Sequence, residues 1–193
     1  FVGCRLGSTR VKFKNLSLIN NKPLFTYLTD NALAATNIDE LYLNTDSQYI
    51  VDVAKEIYSN KLNYYIRPPH LGSSKAKLDD FVYDFMINFQ SDITIFFNPC
   101  CLFLKTETID KAISYFIENN LDSLCASRVA QTLCFMNNKP INFSFGAAQP
   151  RTQDLEAIHC QTCAFFIWKT KTFKNDYEKN SAGNFCGKFE SYG

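Results

Sequence analysis

The segment Ile93–Phe97 constrains this chain most, because an unbroken Ile-Thr-Ile-Phe-Phe run is what a strand buried on both faces looks like. Such a strand needs a layer of helices above and below it. The surrounding sequence supplies them in alternation with further short apolar runs. Phe1–Gly3 reads as the tail of a first strand, Leu41–Asn44 as a second, Tyr64–Arg67 as a third and Leu124–Ala126 as one after Ile93–Phe97. Between them lie faces at helical spacing: Leu24, Leu28, Ala32 and Ala35; Ile50, Val53, Ala54 and Ile57; Leu78, Phe81, Phe85 and Phe89; and Ile109, Ala112, Ile113 and Phe116. Pro23 suits a first helical turn. Thr45-Asp46-Ser47, and Thr106 or Thr108, suit helix caps. This alternation predicts an α/β fold, a three-layer, mostly parallel sheet with right-handed crossovers and helices on both faces.

The pattern changes near Gln131. Leu133–Met136, Asn137-Asn138 and Ile141–Phe143 read as a hairpin, before Ala164–Trp168 returns to a buried strand. The expectation is a single domain over 1–193 with a hairpin arm at about 131–145, leaving the main sheet as a flap or dimer arm. At 193 residues the length fits about one domain of roughly 150 residues. The 46% hydrophobic content suffices for a core, and the net charge of +1 argues against whole-surface binding of a nucleic-acid duplex. No apolar run approaches the ~20 residues of a membrane span. No basic-then-apolar leader opens the chain, so a cytoplasmic location is expected. Both ends read as trimmed.

The 8 Cys do not suggest a disulfide scaffold in a chain of this length. Cys125, Cys134, Cys160 and Cys163 fall in apolar runs and read as buried free thiols. Cys160-x-x-Cys163 invites a redox or zinc reading, but it lacks a second pair and does not open a helix. His70 and His159 fit no metal spacing and read as structural.

The loop after the first strand carries the most chemistry. Gly3-Cys4-Arg5-Leu6-Gly7-Ser8-Thr9-Arg10-Val11-Lys12-Phe13-Lys14-Asn15 combines glycines, hydroxyls and four cations. That mixture suits a polyphosphate, held by backbone amides and neutralised by the cations. A solvated basic loop is the plainer alternative. The spacing is neither that of a P-loop nor a dinucleotide fingerprint.

The loop resembles the A-R-x-G-S-x-R-x-x-x-K-N signature of the cytidylyltransferases that activate 3-deoxy-ulosonic acids, the CMP-sialic acid synthetases being the best known. Arg5, Gly7, Ser8, Arg10, Lys14 and Asn15 match, and Cys4 stands where Ala is usual. The likeness continues in order through Lys22-Pro23-Leu24, Asn44-Thr45-Asp46-Ser47, Arg67-Pro68-x-x-Leu71-Gly72, Asp122-Ser123 and Pro150–Leu155. Asn98-Pro99-Cys100-Cys101-Leu102-Phe103 is a weaker match to Q-P-T-S-P-L.

The resemblance implies a Rossmann-like nucleotidyltransferase fold and transfer of CMP from CTP to the anomeric hydroxyl of a sialic-acid-like sugar acid. It implies Arg5 and Lys14 as catalytic cations on the triphosphate, with Gly7, Ser8 and Arg10 beside them, and Asn15 and Arg67 near ribose or cytosine. On the sugar side it implies Asn98, Arg151 and Gln153. Plainer readings stand beside these: Arg10 and Lys12 as solvated cations, Arg67 as a strand-end cap, Asp46 as a helix cap, and Arg151 on a ligand-free surface loop. Mg²⁺ is the implied cofactor, with its acidic ligands expected beyond Gly193, and a homodimer is the implied assembly. Two alternatives remain open: a nucleotidyltransferase for another acceptor, and a degenerate homologue that binds nucleotide without catalysis.

Overall fold

A computed structural model describes residues 1–8 and 11–193 of the chain. Among the described residues five α-helices and a seven-stranded sheet carry the architecture. In chain order the strands and helices are β1 (Val2–Cys4), β2 (Leu18–Ile19), β3 (Lys22–Pro23), α1 (Leu24–Leu33), β4 (Tyr42–Thr45), α2 (Gln48–Tyr58), β5 (Asn63–Ile66), α3 (Leu78–Asn88), β6 (Ile93–Phe97), α4 (Thr106–Glu118), β7 (Ser123–Ala130), β8 (Phe135–Met136), β9 (Lys139–Pro140), β10 (Ile158–Lys169), α5 (Thr170–Asn180) and β11 (Phe189–Tyr192). The main sheet runs β11-β7-β10-β6-β1-β4-β5. Every pairing in it is parallel except those of β10, which runs antiparallel to both β6 and β7.

Alternation along each strand builds the three layers. Phe97, Leu124, Phe165 and Ile167 join one buried cluster with residues of α1, α2 and α4. Their strand neighbours Phe96, Cys125, Phe166 and Trp168 join a second cluster, with residues of α3 and α5. The strand read from the unbroken apolar run, Ile93–Phe97, is therefore covered on both faces.

The helix starts differ from their local sequence signals. Pro23 precedes α1 as its N-cap rather than sitting in the first turn. Lys105, not a threonine, is the N-cap of α4, and Thr106 instead donates to the Asn31 carbonyl at 3.0 Å. Ser47 caps α2 by position, but no side chain caps that helix. Asp46 is committed elsewhere, as described below.

The excursion near Gln131 leaves the main sheet and makes its own two-stranded ladder, β8 with β9. Asn137 and Asn138 sit at positive φ, the backbone a tight two-residue hairpin turn requires. The ladder is shorter than read: the second strand is Lys139–Pro140, and only the Ile141 amide bonding the Cys134 carbonyl at 2.9 Å extends it. Phe135, Phe143 and Phe145 cluster beside the turn, with Phe135 and Phe145 exposed. The returning strand β10 is longer than the expected Ala164–Trp168, and its first half is largely exposed.

Candidate functional site

The loop that follows β1 is anchored at two points. The Leu6 amide donates to Asp46 Oδ1 at 2.9 Å, and Asn15 Nδ2 donates to the Arg5 carbonyl at 3.0 Å. The first bond ties the loop to the end of β4; the second ties its beginning to the 3-10 turn Lys14–Leu16. Asp46 is thus neither a helix cap nor an exposed site carboxylate: it holds the loop backbone. Gly72 packs on the same carboxylate, so closely that a Cβ there would collide with it. Three segments singled out in the sequence therefore meet at one carboxylate.

The anchored loop walls a cleft of about 180 Å³ at the carboxyl ends of the parallel strands, where open α/β sheets bind their ligands. Gly3, Arg5, Ser8, Lys14 and Asn15 form one wall, Arg67, Leu71, Ser73, Ala76 and Phe81 another, and Asn98, Pro99 and Cys100 a third. Arg5 reaches across, its Nη1 at 3.4 Å from the Ser73 carbonyl.

Arg67 is 3% exposed. Its Nη1 donates to the Asn44 carbonyl and to Asn44 Oδ1, both at 3.0 Å, and its Nη2 to the Cys4 carbonyl at 3.4 Å. Its guanidinium lies 5.1 Å from the centre of the Phe81 ring. Burial lowers the Arg67 pKa, and the nearby Asp46 carboxylate opposes that shift. The strand-end cap and the cleft residue turn out to be the same side chain. Its Nε, Asn44 Nδ2 and Asn15 Oδ1 are all buried and lack a hydrogen-bond partner among the described residues. Unpaired buried polar atoms are costly, so their concentration around one cleft marks where ligand or water must supply partners. Burial pushes the Cys4 thiol far up and leaves it inert as a nucleophile.

The expected nucleotide residues Arg5, Ser8, Lys14, Asn15 and Arg67 are brought together here. Gly7 is exposed, and a Cβ on it would meet nothing within 4 Å among the described residues. Arg10 lies outside the described residues. Of the expected sugar residues only Asn98 reaches the cleft, with its Oδ1 accepting the Cys100 amide at 3.1 Å. Arg151 lies on the surface, forked onto Asp154 at 2.7 and 3.1 Å. Gln153 is exposed, and its carbonyl accepts from Gln131 Nε2. Neither lines the cleft. Ser73 and Phe81 do, although the sequence reading gave them no site role; Phe81 looked like core because it falls on a helical apolar face.

Asp122 is structural: it accepts from the Lys188 amide at 2.9 Å and pairs with Lys169 at 3.1 Å. His159 Nδ1 lies 2.9 Å from Ser191 Oγ and 3.3 Å from Ser127 Oγ. All eight cysteines are free, but only Cys4, Cys125 and Cys186 are buried; Cys163 is exposed, and Cys134 and Cys160 are half-buried. Cys160 and Cys163 lie along β10, with Cys163 inside a bulge. Among the described residues no group of three or more His, Cys, Asp or Glu could hold a metal ion. Among the described residues no helix is long and apolar enough to cross a membrane.

The cytidylyltransferase family model matches residues 1–153. Pseudaminic acid cytidylyltransferase of Campylobacter jejuni subsp. jejuni serotype O:2 is 27% identical over 183 residues, covering 89% of this chain and 78% of that protein. CMP-N,N'-diacetyllegionaminic acid synthase of Legionella pneumophila is 30% identical over 117 residues, covering 58% of this chain and 50% of that one. Among solved structures, a CMP:2-keto-3-deoxy-manno-octonic acid synthetase complexed with CTP superposes with a TM-score of 0.65 at 15% identity, over 92% of this chain and 76% of the other. That likeness concerns the fold.

Proposed function

Because the chain belongs to the cytidylyltransferase family, we propose that it transfers CMP from CTP to the anomeric hydroxyl of a sialic-acid-like ulosonic sugar and releases pyrophosphate. The relatives' names supply the acceptor class: each of the two curated proteins above is named for a nonulosonic acid of this kind. The sugar oxygen attacks the α-phosphorus, the bond to the β-phosphate oxygen breaks, and the hydroxyl proton passes to solvent. Such a reaction is served by positioning and by charge neutralisation.

One observation carries the assignment of the site. Arg5 and Lys14 share a cleft with buried atoms of Asn15 and Arg67 that have no hydrogen-bond partner among the described residues. The two cations suit the triphosphate, with Ser8 and the loop amides as donors. Asn15 Oδ1 offers an acceptor and Arg67 Nε a donor to the nucleoside. Asn98 faces the acceptor side, and Arg10 belongs with the triphosphate. Arg151 and Gln153 serve the sugar only if their loop swings towards the cleft on binding. We propose that the reaction takes Mg²⁺, which loss of pyrophosphate release on adding EDTA would support and unchanged release would reject.

We also propose that the hairpin with Phe135, Met136 and Phe145 pairs two copies of the chain. These side chains are 56%, 65% and 64% exposed, an apolar group that a dimer would cover. Sedimentation reads it: a dimer that Phe135→Glu converts to monomer supports the arm, and a monomeric wild type rejects it.

The reaction is tested by CTP-dependent pyrophosphate release with a panel of ulosonic acids. Release with at least one acid, lost in Lys14→Ala, is the expected result. Release with another acceptor class only would favour the alternative nucleotidyltransferase.

A further inference from the structure

A group of thiols at the end of β6 and β10 has no part in the reaction proposed above. The register sets Phe165 opposite Phe97, and the Asn98 amide continues the ladder to the Ala164 carbonyl at 2.9 Å. Cys163 is the next residue of β10 beyond that bond, and Pro99, Cys100 and Cys101 follow Asn98 on the other side of it. The turn that follows is closed by the Cys101 amide on the Asn98 carbonyl at 3.0 Å, which keeps Cys101 within one tight turn of the Asn98–Ala164 bond.

On the other strand, β10 breaks its ladder with β7. Gln161 pairs with Ser127 and Phe166 with Cys125, so Thr162–Phe165 stands opposite Ala126 alone. Cys163 sits in this bulge at φ 57 and is exposed, and bulges beside active sites commonly redirect a side chain. Cys101 is half-buried. Its thiol is raised by burial first, and by the neighbouring Cys100 and Cys163 sulfurs after that.

We propose that Cys101 and Cys163 form a reversible disulfide under peroxide, and that this bond regulates the cleft. The exposed Cys163 thiolate attacks the peroxide O–O bond, giving a sulfenic acid and water or an alcohol. The Cys101 thiol then displaces hydroxide from that sulfur, so that one S–S bond and one water form. The peroxide is reduced by two electrons, and the two thiols are oxidised. The bond tethers the turn that carries Asn98, Pro99 and Cys100 into the cleft wall. A small thiol returns both sulfurs to the reduced state.

The bond itself does not rest on the reaction assigned above; the regulatory effect does. Hydrogen peroxide is added to the full chain, followed by non-reducing peptide mapping and the pyrophosphate assay. The expected results are a Cys101–Cys163 linked peptide, a fall in turnover of about tenfold, and recovery with dithiothreitol. Cys163→Ser and Cys101→Ser should each abolish the linked peptide and leave turnover insensitive to peroxide. A map with Cys163 bonded to Cys100, with no bond, or with the bond but unchanged turnover overturns the proposal. A linked peptide in a protein inactive toward every acceptor sinks the reaction and leaves the bond standing.

Discussion

The Asp46 carboxylate and the Leu6 amide, 2.9 Å apart, join the end of β4 to the loop that walls the cleft. The bond makes the loop's shape depend on a residue forty positions away in sequence. Asp46→Ala should leave the fold intact and raise the KM for CTP by about tenfold, equivalent to about 1.4 kcal/mol of lost binding. Asp46→Asn keeps an acceptor oxygen and should retain most of the affinity. Equal loss in both variants would mean that the charge, not the bond, matters.

Gly7 separates a ligand role from a structural one. With none of the described residues near its missing Cβ, Gly7→Ala costs the fold little. If the backbone there approaches a phosphate, the added methyl weakens CTP binding. Expected is a melting temperature within about 2 °C of wild type, consistent with a small surface change, together with a reduced CTP-induced rise in Tm. An unchanged CTP response would place the triphosphate elsewhere.

Arg67 should show both of its roles at once. Arg67→Ala strands the Asn44 and Cys4 acceptors in a buried site and should cost about 1–3 kcal/mol of stability. Arg67→Lys keeps a cation but not the fork, and it has no Nε to offer a ligand. It should recover part of the stability while the CTP-dependent stabilisation stays lost. Recovery of both would reduce Arg67 to a strand-end cap.

Asp122 predicts a pH dependence. The Lys188 amide, and with it Lys169, holds the carboxyl below the usual carboxylate range. A depressed folded pKa gives stability that is complete above the unfolded value, near 3.8, and is lost as pH falls through the folded value. Asp122→Asn should therefore destabilise the protein at pH 7 by on the order of 1 kcal/mol, and the difference from wild type should shrink below about pH 4. A gap independent of pH would remove the charge from the explanation.

The sheet was legible because burial on two faces leaves no room for polar alternation: Ile93–Phe97 is the strand itself, and Ile109, Ala112, Ile113 and Phe116 are all buried on α4. The direction of β10 was not legible, since an apolar run reads alike both ways. Nor was the bulge at Cys163, which depends on pairing with two different strands. In the site, the loop after β1 stood out by its glycines, hydroxyls and cations, and its individual residues were picked out by the family resemblance. Asp46 was misread because a carboxylate before a helix satisfies a cap rule as well as it satisfies a distant amide. Arg67 carried two readings in the sequence, and its burial against Asn44 is what joins them. Arg151 and Gln153 were placed by their motif, yet their loop packs away from the cleft, and chain order says nothing of that.

The most direct test of the whole account is a crystal structure of this chain grown with CTP. The account predicts a triphosphate lying between Arg5, Ser8 and Lys14, with the nucleoside against Asn15 and Arg67. Nucleotide bound at any other place, with that cleft holding only solvent, would contradict it.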